Sequence, residues 1–155
     1  MTSNEALLVL QEFLEQMQES LKWLRRSYDQ CKAIGVKENY TEDEFDKLEN
    51  LCSRFARSID LIVNKVFRSL DKVELEDGGT LIDVVNRAEK RGLIESVDEI
   101  REMKDLRNQI VHEYLSDALI GLIGEVFEYT PKLFEVQDRI RKYCKQKYEI
   151  RKTEK

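Results

Sequence analysis

The sequence predicts an all-α fold, an up-and-down antiparallel four-helix bundle with an additional short helix. Three observations predict it. Apolar residues recur at spacings of three and four along nearly the whole chain, which is the period of one helix face. The 155 residues include one proline and six glycines, too few for the many turns of a β-sandwich or barrel. No strand-period segments alternate with helical ones, which excludes nucleotide-binding folds of the Rossmann or P-loop type. A chain of this length supports one domain and buries about 70% of its unfolded surface without staples. Residues 1–148 are read as that single helical domain, and residues 149–155 as a basic, frayed C-terminal tail.

Each element has its own signals. Over residues 4–33, Leu7, Leu10, Leu14, Met17, Leu21 and Leu24 form the stripe of a first helix. Ile34-Gly35-Val36-Lys37 with Asn39 ends it. Thr41 and Glu44 have the spacing of a capping box, in which hydroxyl and carboxylate each satisfy an orphan backbone N–H. A second helix follows to about Val73, with Leu48, Cys52, Phe55, Ile59, Ile62, Val66 and Leu70 as its stripe. Asp77-Gly78-Gly79 is a loop. Thr80 to Lys90 makes a short third helix, ended at Gly92 as a left-handed cap. Ser96 and Glu99 form another capping box and open a fourth helix through about Tyr114. Ser116 or Asp117 caps a fifth that runs to Tyr129. Thr130-Pro131 interrupts it there, and residues 131–148 continue as a kinked or separate helix, since Pro at a first helical position loses no needed hydrogen bond.

Charged residues make up 37% and hydrophobic residues 41%, a solvated but globular balance. The net charge of −5 disfavours a general nucleic-acid coat. The charge is uneven, with +6 over residues 139–155 and −11 over the rest. Such a basic end either touches a phosphate backbone or is a solvated helix end. No run of 18 apolar residues exists, so no membrane helix is expected. The N-terminus lacks the basic region of a signal peptide. The cysteines Cys31, Cys52 and Cys144 are odd in number and separated, with no Cys-x-x-Cys. They read as reduced thiols of a cytoplasmic protein, neither a disulfide frame nor a zinc site.

The chain has no Gly-rich phosphate loop, no His-Glu-x-x-His and no Gly-x-Ser-x-Gly. One segment stands apart: Arg107-Asn108-Gln109-Ile110-Val111-His112-Glu113-Tyr114. At about 100° per residue, Ile100, Met103, Leu106, Ile110, Val111 and Tyr114 line the core stripe, with Arg107 in its middle. A guanidinium there must be paired or face a cavity, because an unpaired buried charge costs about 3–5 kcal/mol. Asp60 on the second helix is a candidate partner. Asn108 and His112 fall outside the stripe, toward solvent or a second subunit. His112 is the only histidine, and an imidazole exchanges protons near neutral pH. Arginine is the natural donor to a phosphate oxygen. Together they are a minimal metal-free set for cleaving a phosphodiester through a ribose 2′-hydroxyl. That reaction uses one base and one acid, which a symmetric dimer supplies if two fourth helices meet. A lone Arg and His on an amphipathic helix are equally open to a structural reading, and Tyr114 on the core line reads also as core. Trp23, Phe13, Phe55, Phe67 and Phe127 read as packing. Arg54, Arg57, Arg101 and Lys104 either line an RNA path near the segment or pair with nearby acids.

Arg107-x4-His112-x-Tyr114, with Asn108 after the arginine, resembles the signature of HEPN-domain ribonucleases, specifically the HepT-type toxins. The flanks Met103-Lys104-Asp105-Leu106 and Tyr129-Thr130-Pro131-Lys132-Leu133 are similar as well. The resemblance implies a HEPN-like domain and a homodimer that cuts RNA at a composite cleft, without metal or cofactor. Arg107 and His112 would be the catalytic pair and Asn108 would orient substrate or imidazole. Lys104 and Arg101 would lie on the RNA path. Tyr114 would receive AMP from a cognate minimal nucleotidyltransferase, the antitoxin of a type VII-like toxin–antitoxin pair. Phosphates added beside the cleft would repel RNA. No membrane partner is implied. The alternative is a non-catalytic nucleotide- or substrate-binding subunit of a minimal nucleotidyltransferase, and a third reading is a structural helical module.

Overall fold

The computed structural model describes residues 3–113 and 116–148. The basic tail expected over 149–155 and the Tyr114 position lie outside the described residues. Among the described residues there is no strand. α1 spans Ser3–Ile34 and turns at Gly35 into α2, Glu42–Leu61. A π-helical turn, Ile62–Phe67, and α3, Arg68–Val73, continue α2 as one rod. α4 spans Leu81–Lys90, α5 Val97–His112, α6 Ser116–Ile120 and α7 Ile123–Tyr148. The α1 rod packs along the whole α2–α3 rod, α5 and α7 close the bundle against α2, and α4 covers the far end near the π-helical turn and α3. This is the predicted all-α bundle.

The stripes meet in one core. Leu10, Leu21 and Leu24 from α1 face Leu48, Phe55, Ile59, Ile62 and Phe67 from the second rod, all fully buried. Burying each such side chain contributes roughly 1.5–3 kcal/mol, so the rods hold by this face rather than by helix propensity. No described helix is long and apolar enough to cross a membrane. The three cysteines are free and buried. Burial pushes the Cys31 thiol up to about 11 and those of Cys52 and Cys144 up to about 12, so none is a nucleophile near neutral pH.

The helix starts follow the capping signals, with one correction. The Thr41 hydroxyl accepts from the Glu44 N–H at 3.1 Å and the Glu44 carboxylate accepts from the Thr41 N–H at 3.0 Å. Thr80 and Asp83 build a second complete box at the start of α4. Ser96 and Glu99 make only half of the expected box. Ser96 Oγ accepts from the Glu99 N–H at 3.1 Å, but the Glu99 carboxylate lies 4.0 Å from Lys132 Nζ instead. Glu89 reaches over to accept the Val97 N–H at 3.1 Å. Gly92 has the expected left-handed backbone, with φ +77°.

The expected interruption at Thr130-Pro131 is absent. The chain breaks earlier, at residues 121–122 between α6 and α7, and α7 runs through Pro131. Proline costs a helix interior about 3 kcal/mol. Here Ile123, Val126, Leu133, Phe134, Val136 and Ile140 lie buried on both sides of it, and keeping all of them in the core requires one continuous rod. The Thr130 hydroxyl donates to the Val126 carbonyl at 2.6 Å in the same turn.

At the end of the bundle far from Arg107, an ionic cluster joins α3, α4 and α7. Asp71, with a side chain 2% exposed, accepts from Arg87 Nη1 at 3.1 Å and Arg91 Nη1 at 2.6 Å. Arg91 Nε donates to Glu74 at 3.0 Å, and the Tyr143 and Tyr148 hydroxyls each donate to the same carboxylate at 2.5 Å. Burial alone would raise the Glu74 carboxyl, but the donors from Tyr143, Tyr148 and Arg91 outweigh it and hold it at about 2.

Candidate functional site

Arg107 is half-buried on the α5 face that packs toward α2, as its place in the apolar stripe requires. Asp60, near the end of α2, is its partner. Arg107 Nε and Nη2 donate to Asp60 Oδ2 at 3.0 and 2.8 Å, and Nε lies 2.8 Å from Oδ1. Nη1 donates to Asn108 Oδ1 at 3.1 Å. A guanidinium has five N–H donors in a fixed plane. Asp60 takes the side-on edge and Asn108 one proton more, which leaves one N–H on each terminal nitrogen for another acceptor. The plane is thereby set in orientation before anything binds. Asn108 is exposed and acts on the guanidinium rather than on any described imidazole.

His112 is the last residue of α5 and is exposed. The Glu113 N–H still bonds to the Gln109 carbonyl at 3.0 Å, so the His112 backbone is helical. In projection His112 lies about 140° around the helix from Arg107. One chain therefore brings Arg107, Asp60 and Asn108 together and turns His112 to a different face. Lys104 and Arg101 project at about 60° and 120°, on the Asn108–His112 side. Lys104 is half-buried and Arg101 is exposed. Val111, expected in the core, is 44% exposed. Ile110 is the last buried residue of α5, and Val111 beyond it lines an open groove.

A groove of about 550 Å³ runs between α2 and α5 beside Arg107. Ser53, Ala56, Arg57 and Asp60 form one wall and Arg107, Ile110 and Val111 the other, with Glu49, Cys52, Glu113 and Leu119 completing it. Arg57 is exposed and holds no ion pair among the described residues, and of the basic residues read as lining an RNA path it is the one on this groove. Arg54 turns away. It donates to Ser27 Oγ at 2.6 Å and to the Trp23 carbonyl at 3.3 Å, and its guanidinium lies over the Trp23 ring. Trp23, expected to pack, is 41% exposed, because its indole N–H reaches out to Glu19 at 2.9 Å. Phe55 and Phe67 are buried as expected, and Phe13 and Phe127 pack half-buried against the core. Sequence reasoning missed Glu49 and Ser53. The signal existed: with Arg57 and Asp60 they recur at helical spacing along α2, a polar line beside its apolar stripe.

A family model described as "HepT-like: Ribonuclease HepT-like" matches residues 4–120. The matched span runs from α1 into α6 and includes Asp60, Arg107, Asn108 and His112. No curated protein matches the chain.

Proposed function

Because the chain belongs to the HepT-like ribonuclease family, we propose that it is a metal-independent endoribonuclease, the toxin of a type VII-like toxin–antitoxin pair. The observation that carries this reading is Arg107, fixed by Asp60 and Asn108 with two donors left over, on the same helix as an exposed His112. His112 takes the proton of a ribose 2′-hydroxyl. The 2′-oxygen attacks phosphorus, Arg107 holds the charge that develops on the phosphoryl oxygens, and the 5′-oxygen leaves with a proton from an acid. The products are a 2′,3′-cyclic phosphate and a 5′-hydroxyl. The acid is the imidazole of a second copy, because each chain has one histidine. The dimer seam follows the face of α5 that carries the exposed Asn108 and His112. Asn108 orients the site, and Lys104 and Arg101 guide RNA along the same face.

The test is incubation of the purified protein with single-stranded RNA. We expect 5′-hydroxyl products and the same rate in EDTA; activity lost to the chelator overturns the metal-free reading. Asp60→Ala is expected to slow cleavage about 100-fold, since a misplaced catalytic group costs that much. It should lower the melting temperature by only about 3 °C, because a pair this exposed is worth about 1 kcal/mol or less. An equal loss in both would make Asp60 merely structural.

In the silencing reaction a minimal nucleotidyltransferase transfers AMP from ATP to the Tyr114 hydroxyl, with pyrophosphate as the leaving group, and so adds phosphate charge beside the cleft. Intact mass after co-expression with that enzyme should show AMP-sized increments that vanish in Tyr114→Phe. The second reading, a non-catalytic binding subunit of a nucleotidyltransferase, draws on one observation: Asp60 already offsets the charge of Arg107. RNA retained by the wild-type protein without products would establish it.

A further inference from the structure

We propose that the groove between α2 and α5 is a subsite for one ribonucleotide next to the scissile phosphate, with Arg57 as its phosphate-binding residue and Glu49 as its base-reading residue. The inference deepens the ribonuclease reading and rests on it for the word scissile. Its volume, about 550 Å³, lies in the range of sites that enclose a small ligand. Two guanidiniums reach it from facing helices, and they differ. Arg107 is immobilised by Asp60, whereas Arg57, one turn before Asp60 on α2, has no ion pair among the described residues. A bound phosphate is the group that would complete Arg57.

The distribution of charge sets how much RNA fits. The two cations lie toward the Asp60 end of the lining, and Glu49 and Glu113 lie toward the other. A run of phosphates along the whole groove would meet those carboxylates. One nucleotide avoids them if its phosphate lies over Arg57, beside the phosphate that Arg107 holds, and its base points along the groove. Ala56, Ile110, Val111 and Leu119 then give the base an apolar wall. Glu49 is one helical face upstream of Arg57 and accepts hydrogen bonds only, so it favours a base with an exocyclic amino group. Cytosine has one and uracil does not, so the subsite discriminates between these two pyrimidines.

The experiment separates this subsite from the ribonuclease reading by measuring binding and cleavage apart. Binding is read by fluorescence anisotropy with the full-length protein and labelled 2′-O-methyl oligonucleotides, cytidine- or uridine-based, which cannot be cut. Cleavage is read on the matching ribo-oligonucleotides. Arg57→Gln should weaken binding and raise KM about tenfold, the loss of one charge-assisted contact, with a smaller effect on kcat. Ser53→Trp, a change at an exposed lining position, should block the groove to the same extent. Glu49→Gln should erase the preference for cytidine over uridine. Wild-type affinity in both Arg57→Gln and Ser53→Trp overturns the proposal, and so does a wild-type protein that binds none of the oligonucleotides. Loss of the dimer in Ser53→Trp with RNA affinity intact overturns it too, and assigns the groove to a second copy of the chain. Wild-type protein that binds the oligonucleotides but yields no product from the matching ribo-oligonucleotides sinks the ribonuclease reading alone, because the binding measurements still decide the subsite.

Discussion

His112→Ala is expected to abolish RNA cleavage, by a factor on the order of 10⁴, and to leave the fold as it was. The size follows from the number of imidazoles. With one histidine per chain, the proposed symmetric dimer would lose its base and its acid together, and general acid–base catalysis contributes about 10²–10⁴ for such groups. The silence of the fold follows from position. His112 is exposed at the end of α5 and makes no described hydrogen bond through its side chain. Alanine also favours the helix by a few tenths of a kcal/mol, about 0.5. Single-turnover cleavage, helical circular dichroism and sedimentation check the three parts. Unchanged cleavage, with helicity and assembly intact, removes His112 from the mechanism. Unchanged assembly with cleavage lost places the defect in the chemistry.

The largest expected effect on stability lies at the opposite end. Asp71→Ala should lower the unfolding free energy by about 3–5 kcal/mol, because it strips Arg91, whose side chain is 7% exposed, of its shortest ion pair. Urea unfolding measures this, and a loss under 1 kcal/mol, roughly that of a surface pair, would show that water or Glu76 replaces the carboxylate. The same cluster sets an acid limit. The folded state holds the Glu74 carboxyl at about 2, below its ordinary range near 4.3. A depressed carboxyl stabilises the fold fully above the unfolded value and less as pH falls toward the folded one. Stability should therefore decline from about pH 5 to pH 2, and Glu74→Gln should flatten that part of the curve.

Much of this was legible in residue order. The apolar stripes of α1 and α2 place the core, Thr41 marks the start of α2, and an arginine inside a stripe demands a partner, which Asp60 provides. These features are local, or follow from the cost of burying charge. Other features depend on what the rest of the bundle offers. Pro131 reads as a stop, yet the side chains on both sides of it are held in one core. Val111 reads as core, but the fold leaves an open groove between α2 and α5 beside it. Nothing in the order of residues marks Asp71, and only the fold brings Arg87 and Arg91 to it across the α3–α4 turn. His112 and Arg107 share a helix but lie about 140° apart in projection, so their place in the motif does not itself say how they come together.

The widened turn at Ile62–Phe67 begins two residues after Asp60 and ends four before Asp71. A π-helical turn accommodates one more residue than an α-helical turn over the same sweep. The chain can therefore change length by one here while both flanking carboxylates keep their bearings, and exposed Asn64 is the residue whose omission the rod should absorb. In evolutionary terms the stretch is an expansion joint. Homologues one position shorter would run straight through it, and a gap in an alignment belongs there rather than in either neighbouring helix.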